Sequence, residues 1–171
     1  MVKSFPVIWL LGLSGAGKST LARSLVENLQ REGLPVELLD GDVMRAQTGA
    51  HGFTRKERLE HLKSMSDLAA STSTSGKIVV SAFITPYEEA RIYLRQKCFR
   101  YIEVWVSTPL EECERRDVKG LYAKARRGEI KNFTGLDDPF EIPKQYDLKI
   151  ETLKSEKETA EILWTLLKER I

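Results

Sequence analysis

The sequence predicts an α/β fold: a three-layer sandwich whose mostly parallel, five-stranded sheet carries helices on both faces. Three observations lead there. Short apolar runs alternate with longer stretches of helical periodicity. The pattern G-x-x-x-x-G-K-[ST] appears at Gly12-Leu13-Ser14-Gly15-Ala16-Gly17-Lys18-Ser19, between one such run and one such stretch. The 171 residues are enough for one compact unit with a sizeable core, and no internal repeat marks a boundary, so residues 1–171 read as a single domain.

The elements follow in order. Val7–Leu11 is an unbroken apolar run, as a strand buried on both faces should be. A helix over 17–31 is predicted by Leu21, Ala22, Leu25, Val26 and Leu29 at helical spacing. Val36–Leu39 is the second strand. A helix over 54–75 opens on the capping box Thr54-x-x-Glu57 and stops at Gly76, after the frayed run Thr72-Ser73-Thr74-Ser75. Strand Ile78–Phe83, a helix over 87–97, strand Tyr101–Val106 and a helix over 110–116 continue the alternation. Strand Leu148–Ile150 and a helix over 155–169, with its own capping box Ser155-x-x-Glu158, end it. Residues 118–146 break the pattern, being rich in Lys, Arg, Gly, Asp and Pro without a strand run. Long irregular segments in compact domains are commonly functional. This one reads as a mobile lid whose Lys119, Lys124, Arg126, Arg127 and Lys131 neutralise phosphates and whose closure excludes water.

The glycine-rich loop carries the chemistry. Its N–H groups can wrap a polyphosphate at a helix N-terminus, Lys18 can reach the β- and γ-phosphates, and Ser19 can ligate Mg²⁺. A nucleoside triphosphate follows; the reaction does not, since kinases, GTPases and motor ATPases share this loop. In an open parallel sheet, ligands bind beyond the carboxyl ends of the strands. The second strand ends there in Asp40-Gly41-Asp42, two carboxylates placed to hold Mg²⁺ or its waters and to take a proton from an attacking hydroxyl. The third ends Ser81-Ala82-Phe83 without an acid, which shifts the metal's needs onto Asp40 and Asp42. Arg45, in a loop entry, with Arg55 and Arg58 follow closely, and a cation in the first turns of a helix opposes the dipole, so Arg58 reads as an anion contact. Phe53 and Phe133 can clamp a base by stacking. His51 and His61 lack a third ligand partner and do not indicate a metal site.

Composition narrows the class. A net charge of +2, with 42% hydrophobic and 30% charged residues, excludes disorder and argues against a dedicated nucleic-acid binder. Cys98 and Cys113, the two cysteines, form no C-x-x-C motif. No apolar run has membrane length and no signal peptide is evident, so a cytoplasmic protein with no membrane partner is expected. An N-K-x-D guanine-reading motif is also missing, which counts against a nucleotide switch without turnover.

Longer blocks then resemble one family. The chain resembles the adenylyl-sulfate kinases (APS kinases), P-loop kinases, in Gly12–Ser19 with Thr20, Leu39-Asp40-Gly41-Asp42 with Arg45, and Gly52-Phe53 with Arg58. It does so again in Phe83-Ile84-Thr85-Pro86-Tyr87, in Arg116-Asp117-x-Lys119-Gly120-Leu121-Tyr122, and in Phe133-Thr134-Gly135-x-Asp137-Asp138-Pro139. The resemblance implies transfer of the γ-phosphate of MgATP to the 3′-hydroxyl of adenosine 5′-phosphosulfate (APS), with ATP and Mg²⁺ as cofactors, and a homodimer. It implies Asp42 beside the acceptor hydroxyl with Lys18 and Asp40 as its catalytic companions, and Mg²⁺ on Ser19 and Asp40, partly through water. Arg45 and Arg58 would grip the phosphosulfate, Phe53 and Phe133 would sandwich the acceptor adenine, and Ile84, Thr85, His61 and Lys119 would line that pocket. Gly12 to Thr20 and Arg116 would hold ATP. The chain departs from the family pattern at His61 (usually asparagine), Thr85 (serine), Asn132 (glycine) and in a shorter loop between Arg45 and Gly52. Those departures leave open a same-fold kinase with another nucleotide-like acceptor.

Overall fold

The computed structural model describes residues 4–49 and 52–171; His51 lies outside them. Strands β1 (Val7–Leu11), β2 (Val36–Asp40), β3 (Ile78–Ala82), β4 (Tyr101–Val106) and β5 (Leu148–Ile150) form one sheet in the order β2-β3-β1-β4-β5. All four strand pairings are parallel, with Val7 opposite both Val79 and Tyr101. The expected strands are present, within one residue at each end.

Helices cover both faces. Ile8 and Leu10 face a core built with α1 (Lys18–Arg31) and α7 (Glu156–Leu167), through Leu21, Leu25, Leu163 and Leu167. Val7, Trp9 and Leu11 face a second core under α3 (Arg55–Thr74) and α4 (Glu88–Lys97), through Leu62, Met65, Ala90 and Leu94. All five β1 side chains are fully buried, which is why that strand is apolar at every position rather than alternating. Both predicted capping boxes form: Thr54 with Glu57 opens α3, and Ser155 with Glu158 opens α7.

Two helices depart from the expected pattern. Residues read as a turn and loop, with Arg45 among them, form α2 (Gly41–Thr48), capped by the Asp40 side chain on the Asp42 N–H and ended by Gly49 at φ 67°. None of the α2 side chains is fully buried, so no apolar stripe announces it. Within the segment expected to be irregular, α6 (Leu121–Arg126) follows α5 (Leu110–Arg116). Both oxygens of Asp117 accept N–H groups of its first turn, from Tyr122 at 2.9 Å and Ala123 at 3.0 Å. Tyr122 and Phe133 pack edge-on at 4.8 Å inside the first core, so this segment is in part a packed wall.

Candidate active site

The carboxyl ends of the strands open into a cavity of about 740 Å³. From β1 comes the phosphate loop, from β2 Asp40 and Asp42, from β3 the run Ala82–Pro86, and from β5 Thr152. Parallel strands all end on the same side, so residues from distant parts of the chain meet at one edge.

The loop's shape follows from close contacts. Gly12 donates its N–H to the Ile84 carbonyl (3.2 Å), and a Cβ there would strike the Val106 carbonyl oxygen. Gly17, at φ 99°, lies so close to Thr152 that a Cβ would come within 2.8 Å of its methyl group. Both the Thr108 and Thr152 hydroxyls reach the Ala16 carbonyl, at 2.9 and 2.8 Å. Ser14, Gly15, Gly17, Lys18, Ser19 and Thr20 line the cavity; Gly12, Leu13 and Ala16 shape the loop from behind it. Lys18 donates to the Leu13 carbonyl at 2.7 Å, and burial lowers its pKa to about 8, with nearby Lys119 pushing the same way against Cys113, Asp42 and Asp40.

Beside it, Asp40 is buried; one carboxylate oxygen accepts the Asp42 N–H at 3.0 Å, and the other has no donor among the described residues. A buried, unpartnered carboxylate oxygen lining a cavity with the Ser19 hydroxyl suits a hard cation. Mg²⁺ characteristically takes one or two protein oxygens and fills its shell with water and phosphate, so this small donor set fits it. Asp42 is largely exposed and forms an ion pair with Lys119.

At the end of the cavity next to the phosphate loop and α7, Arg116 is held by Glu112 (2.7 Å), by the Thr152 hydroxyl (2.8 Å) and by the Thr152 carbonyl. At the other end, Arg45, Phe53, Arg58, His61, Ile84, Thr85 and Phe133 converge. Arg45, now in the last turn of α2 rather than a loop, lies 5.1 Å from the Phe53 ring centre. Its pKa is lowered by burial and by Arg58. Half of Phe53 is exposed, whereas Phe133 is buried. Burial and Arg45 lower the pKa of His61, whose Nε2 has no partner among the described residues. Thr85 sits at φ 50°, unusual for a β-branched residue, with its hydroxyl bound by Trp9 Nε1 (2.8 Å) and its carbonyl by Arg91 Nε and Nη2 (3.2 and 3.0 Å).

Every predicted side chain of the acceptor group therefore reaches one cavity. The expected lid cations divide. Lys119 lines it, but Arg126 pairs with Glu114 and Arg127 with Glu129, and neither these two nor Lys124 and Lys131 line it. Arg126 is engaged by a carboxylate of α5 and Arg127 by one of its own segment. Sequence reasoning missed Thr108 and Thr152, which brace the loop, and Arg91, which braces Thr85. Thr152 and Thr108 follow β5 and β4 closely at the ligand-binding edge, a positional signal that can flag them.

The model of the family described as adenylylsulphate kinase matches residues 4–151. An adenylyl-sulfate kinase of Halothermothrix orenii is 47% identical over 155 residues, covering 90% of this chain and 82% of that protein. One of a Picosynechococcus species is 44% identical over 146 residues, covering 85% and 82%. Among solved structures, the Mycobacterium tuberculosis APS kinase in complex with AMPPNP and APS superposes with a TM-score of 0.91 at 38% identity, covering 96% of this chain and 98% of that one.

Proposed function

The chain belongs to the adenylylsulphate kinase family, and from that premise we propose how its cavity moves the γ-phosphate of MgATP onto the 3′-hydroxyl of APS. One observation carries the reading. Asp42 interacts electrostatically both with Lys18 at the phosphate loop and with Arg45 in the arginine cluster, so it stands between the two ends of a single cavity. A donor phosphate on the loop and an acceptor gripped by the arginines would meet beside it.

In this reading Asp42 accepts the proton of the attacking hydroxyl, and Lys18 and Lys119 balance charge on the transferring group. Ser19 and Asp40 would hold Mg²⁺, partly through water, and the ion would supply charge neutralisation for the donor phosphates. The braced face of Arg116 supports the donor nucleotide. Arg45 and Arg58 hold the phosphosulfate; Phe53 and Phe133 flank the acceptor base, with Ile84, Thr85 and His61 completing its pocket. Lys119 rests on Asp42, so the acceptor displaces that contact on entry. Closure falls to the parts of 118–131 on either side of Tyr122, whose hydroxyl donates to the Ser14 carbonyl, because 132–141 are fastened to α3 and α4. The same proposal includes a single-domain homodimer in the cytoplasm; no described helix is long and apolar enough to cross a membrane.

Asp42→Asn tests it. Removing a general base typically lowers turnover by about 10²–10⁴-fold. We expect that loss in APS-dependent ADP release, with donor binding retained and the wild-type product phosphorylated on the 3′-oxygen. Normal turnover of the variant would remove Asp42 from the chemistry. No APS response, but release with another nucleotide, would move the acceptor assignment to the alternative that His61 and the short loop leave open.

A further inference from the structure

The arginine assigned to the acceptor is not free to swing. Arg58 is 8% exposed, and a guanidinium that deep needs acceptors for its N–H groups. Its Nη1 donates to Thr134 Oγ1 at 2.6 Å and to Asp138 Oδ2 at 3.0 Å, and its Nη2 donates to the Asn132 carbonyl. All three partners lie in residues 132–138, 74 to 80 positions along the chain from Arg58.

The partners are themselves fixed. Asp138 Oδ2 also accepts the Tyr87 hydroxyl at 2.7 Å, and Tyr87 is fully buried. The Asp137 carboxylate accepts the N–H groups of Asn132 (2.8 Å) and Phe133 (2.6 Å), closing a turn with Asn132 at φ 56°. That turn aims the Asn132 carbonyl at Arg58 and sets Phe133 in the wall. Adjacent aspartates thus divide the work: Asp137 shapes the turn, and Asp138 joins it to Arg58 and Tyr87.

The count of donors gives the consequence. A guanidinium has five N–H groups in a planar fork. Three are taken, leaving Nε–H and one Nη2–H without a partner among the described residues. Two N–H groups of one guanidinium can bind an oxyanion bidentately, provided the plane is fixed. We propose that Asp138, held by Tyr87, is a positioning residue for acceptor binding. It fixes the plane of Arg58 so that the two remaining N–H groups are presented to the acceptor's anion, and it couples Phe133 to the same point. This rests on the assignment of Arg58 to the acceptor in the proposed function.

The experiment is steady-state kinetics on the full chain with Asp138→Asn and Tyr87→Phe, alone and combined with Arg58→Ala, varying APS and MgATP separately. Asp138→Asn keeps the side chain's shape but leaves the buried guanidinium without its counter-charge. We expect KM for APS to rise about tenfold with kcat and KM for MgATP changed less than twofold. Tyr87→Phe removes one hydrogen bond and should move the same constant about threefold; it serves if Asp138→Asn does not fold. In the Arg58→Ala background, neither change should add anything. Equal effects on both substrates, or full additivity with Arg58→Ala, would overturn the positioning role. If Arg58→Ala itself leaves KM for APS unchanged, the acceptor assignment of Arg58 fails instead, which separates the two readings.

Discussion

Replacing Lys18 by Met should stabilise the nucleotide-free protein at neutral pH while abolishing its turnover. Burial brings the Lys18 pKa from 10.5 to about 8. At 1.36 kcal/mol per unit, holding the ammonium charged in the folded state costs about 3 kcal/mol. The Leu13 carbonyl returns about 1 kcal/mol through its hydrogen bond with Nζ, which Met loses. The variant should therefore gain about 2 kcal/mol at pH 7. The sign with pH follows from linkage. Below pH 8 the lysine is charged in both states and the whole cost is present. Between about 8 and 10.5 the unfolded state holds a proton that the folded state has lost, so wild-type stability rises with pH. Integrating from pH 7 to 9.5 gives about 2 kcal/mol of recovery for wild type relative to Lys18→Met. Urea unfolding of both proteins in chelator without nucleotide, at several pH values, reads the difference directly, and other titrating groups cancel. A variant less stable than wild type at pH 7, with a difference that does not change by pH 9.5, would refute the claim that burial sets the state of this lysine.

Two further outcomes concern the braces of the phosphate loop. Thr152→Val keeps the shape but removes a hydroxyl that reaches Ala16 and accepts from Arg116. A loss of about 2 kcal/mol in urea unfolding and a raised KM for MgATP, with KM for APS unchanged, are expected. Gly17→Ala combines a left-handed residue with a Cβ 2.8 Å from the Thr152 methyl. Titration with a non-hydrolysable donor analogue should show at least tenfold weaker binding, and partial recovery when Thr152 is also shortened to Ser.

The parts legible in the sequence are those whose cause is local. β1 is buried on both faces, so every position is apolar, and the two capping boxes close within four residues. The phosphate loop reads from its own glycines because the backbone itself does the binding. What stayed hidden either lacks a buried stripe or depends on partners far along the chain. α2 begins on Gly41, buries no side chain fully and owes its start to the last residue of β2, so its eight residues look like a turn. Thr108 and Thr152 reach Ala16 across 92 and 136 positions, and Asp138 reaches Arg58 across 80. Nothing at either end of such a contact marks the other. The lid cations differ among themselves in what the sequence shows of their partners. Arg126 pairs with Glu114 across twelve positions, a contact its own segment does not show, whereas the Arg127–Glu129 pair spans two positions and is open to local reading.

The charges of the cavity argue for two anionic ligands rather than one. Lys18 has its pKa lowered partly by Lys119, and Arg45 has its own lowered partly by Arg58. These are two like-charged pairs, one at the phosphate loop and one in the arginine cluster, each with repulsion between its members. Asp42 interacts with a member of each pair, and Asp40 beside Lys18, Glu57 beside Arg45 and Asp138 on Arg58 offset part of each repulsion. A polyphosphate at one end relieves only the first pair. In the proposed function the acceptor's oxyanion relieves the second, with its base between Phe53 and Phe133. Binding both brings a phosphate and a hydroxyl to Asp42 while each ligand relieves the repulsion built in at its own end. In the proposed function the like-charge repulsion within each pair is returned as affinity for the two substrates whose juxtaposition the transfer requires.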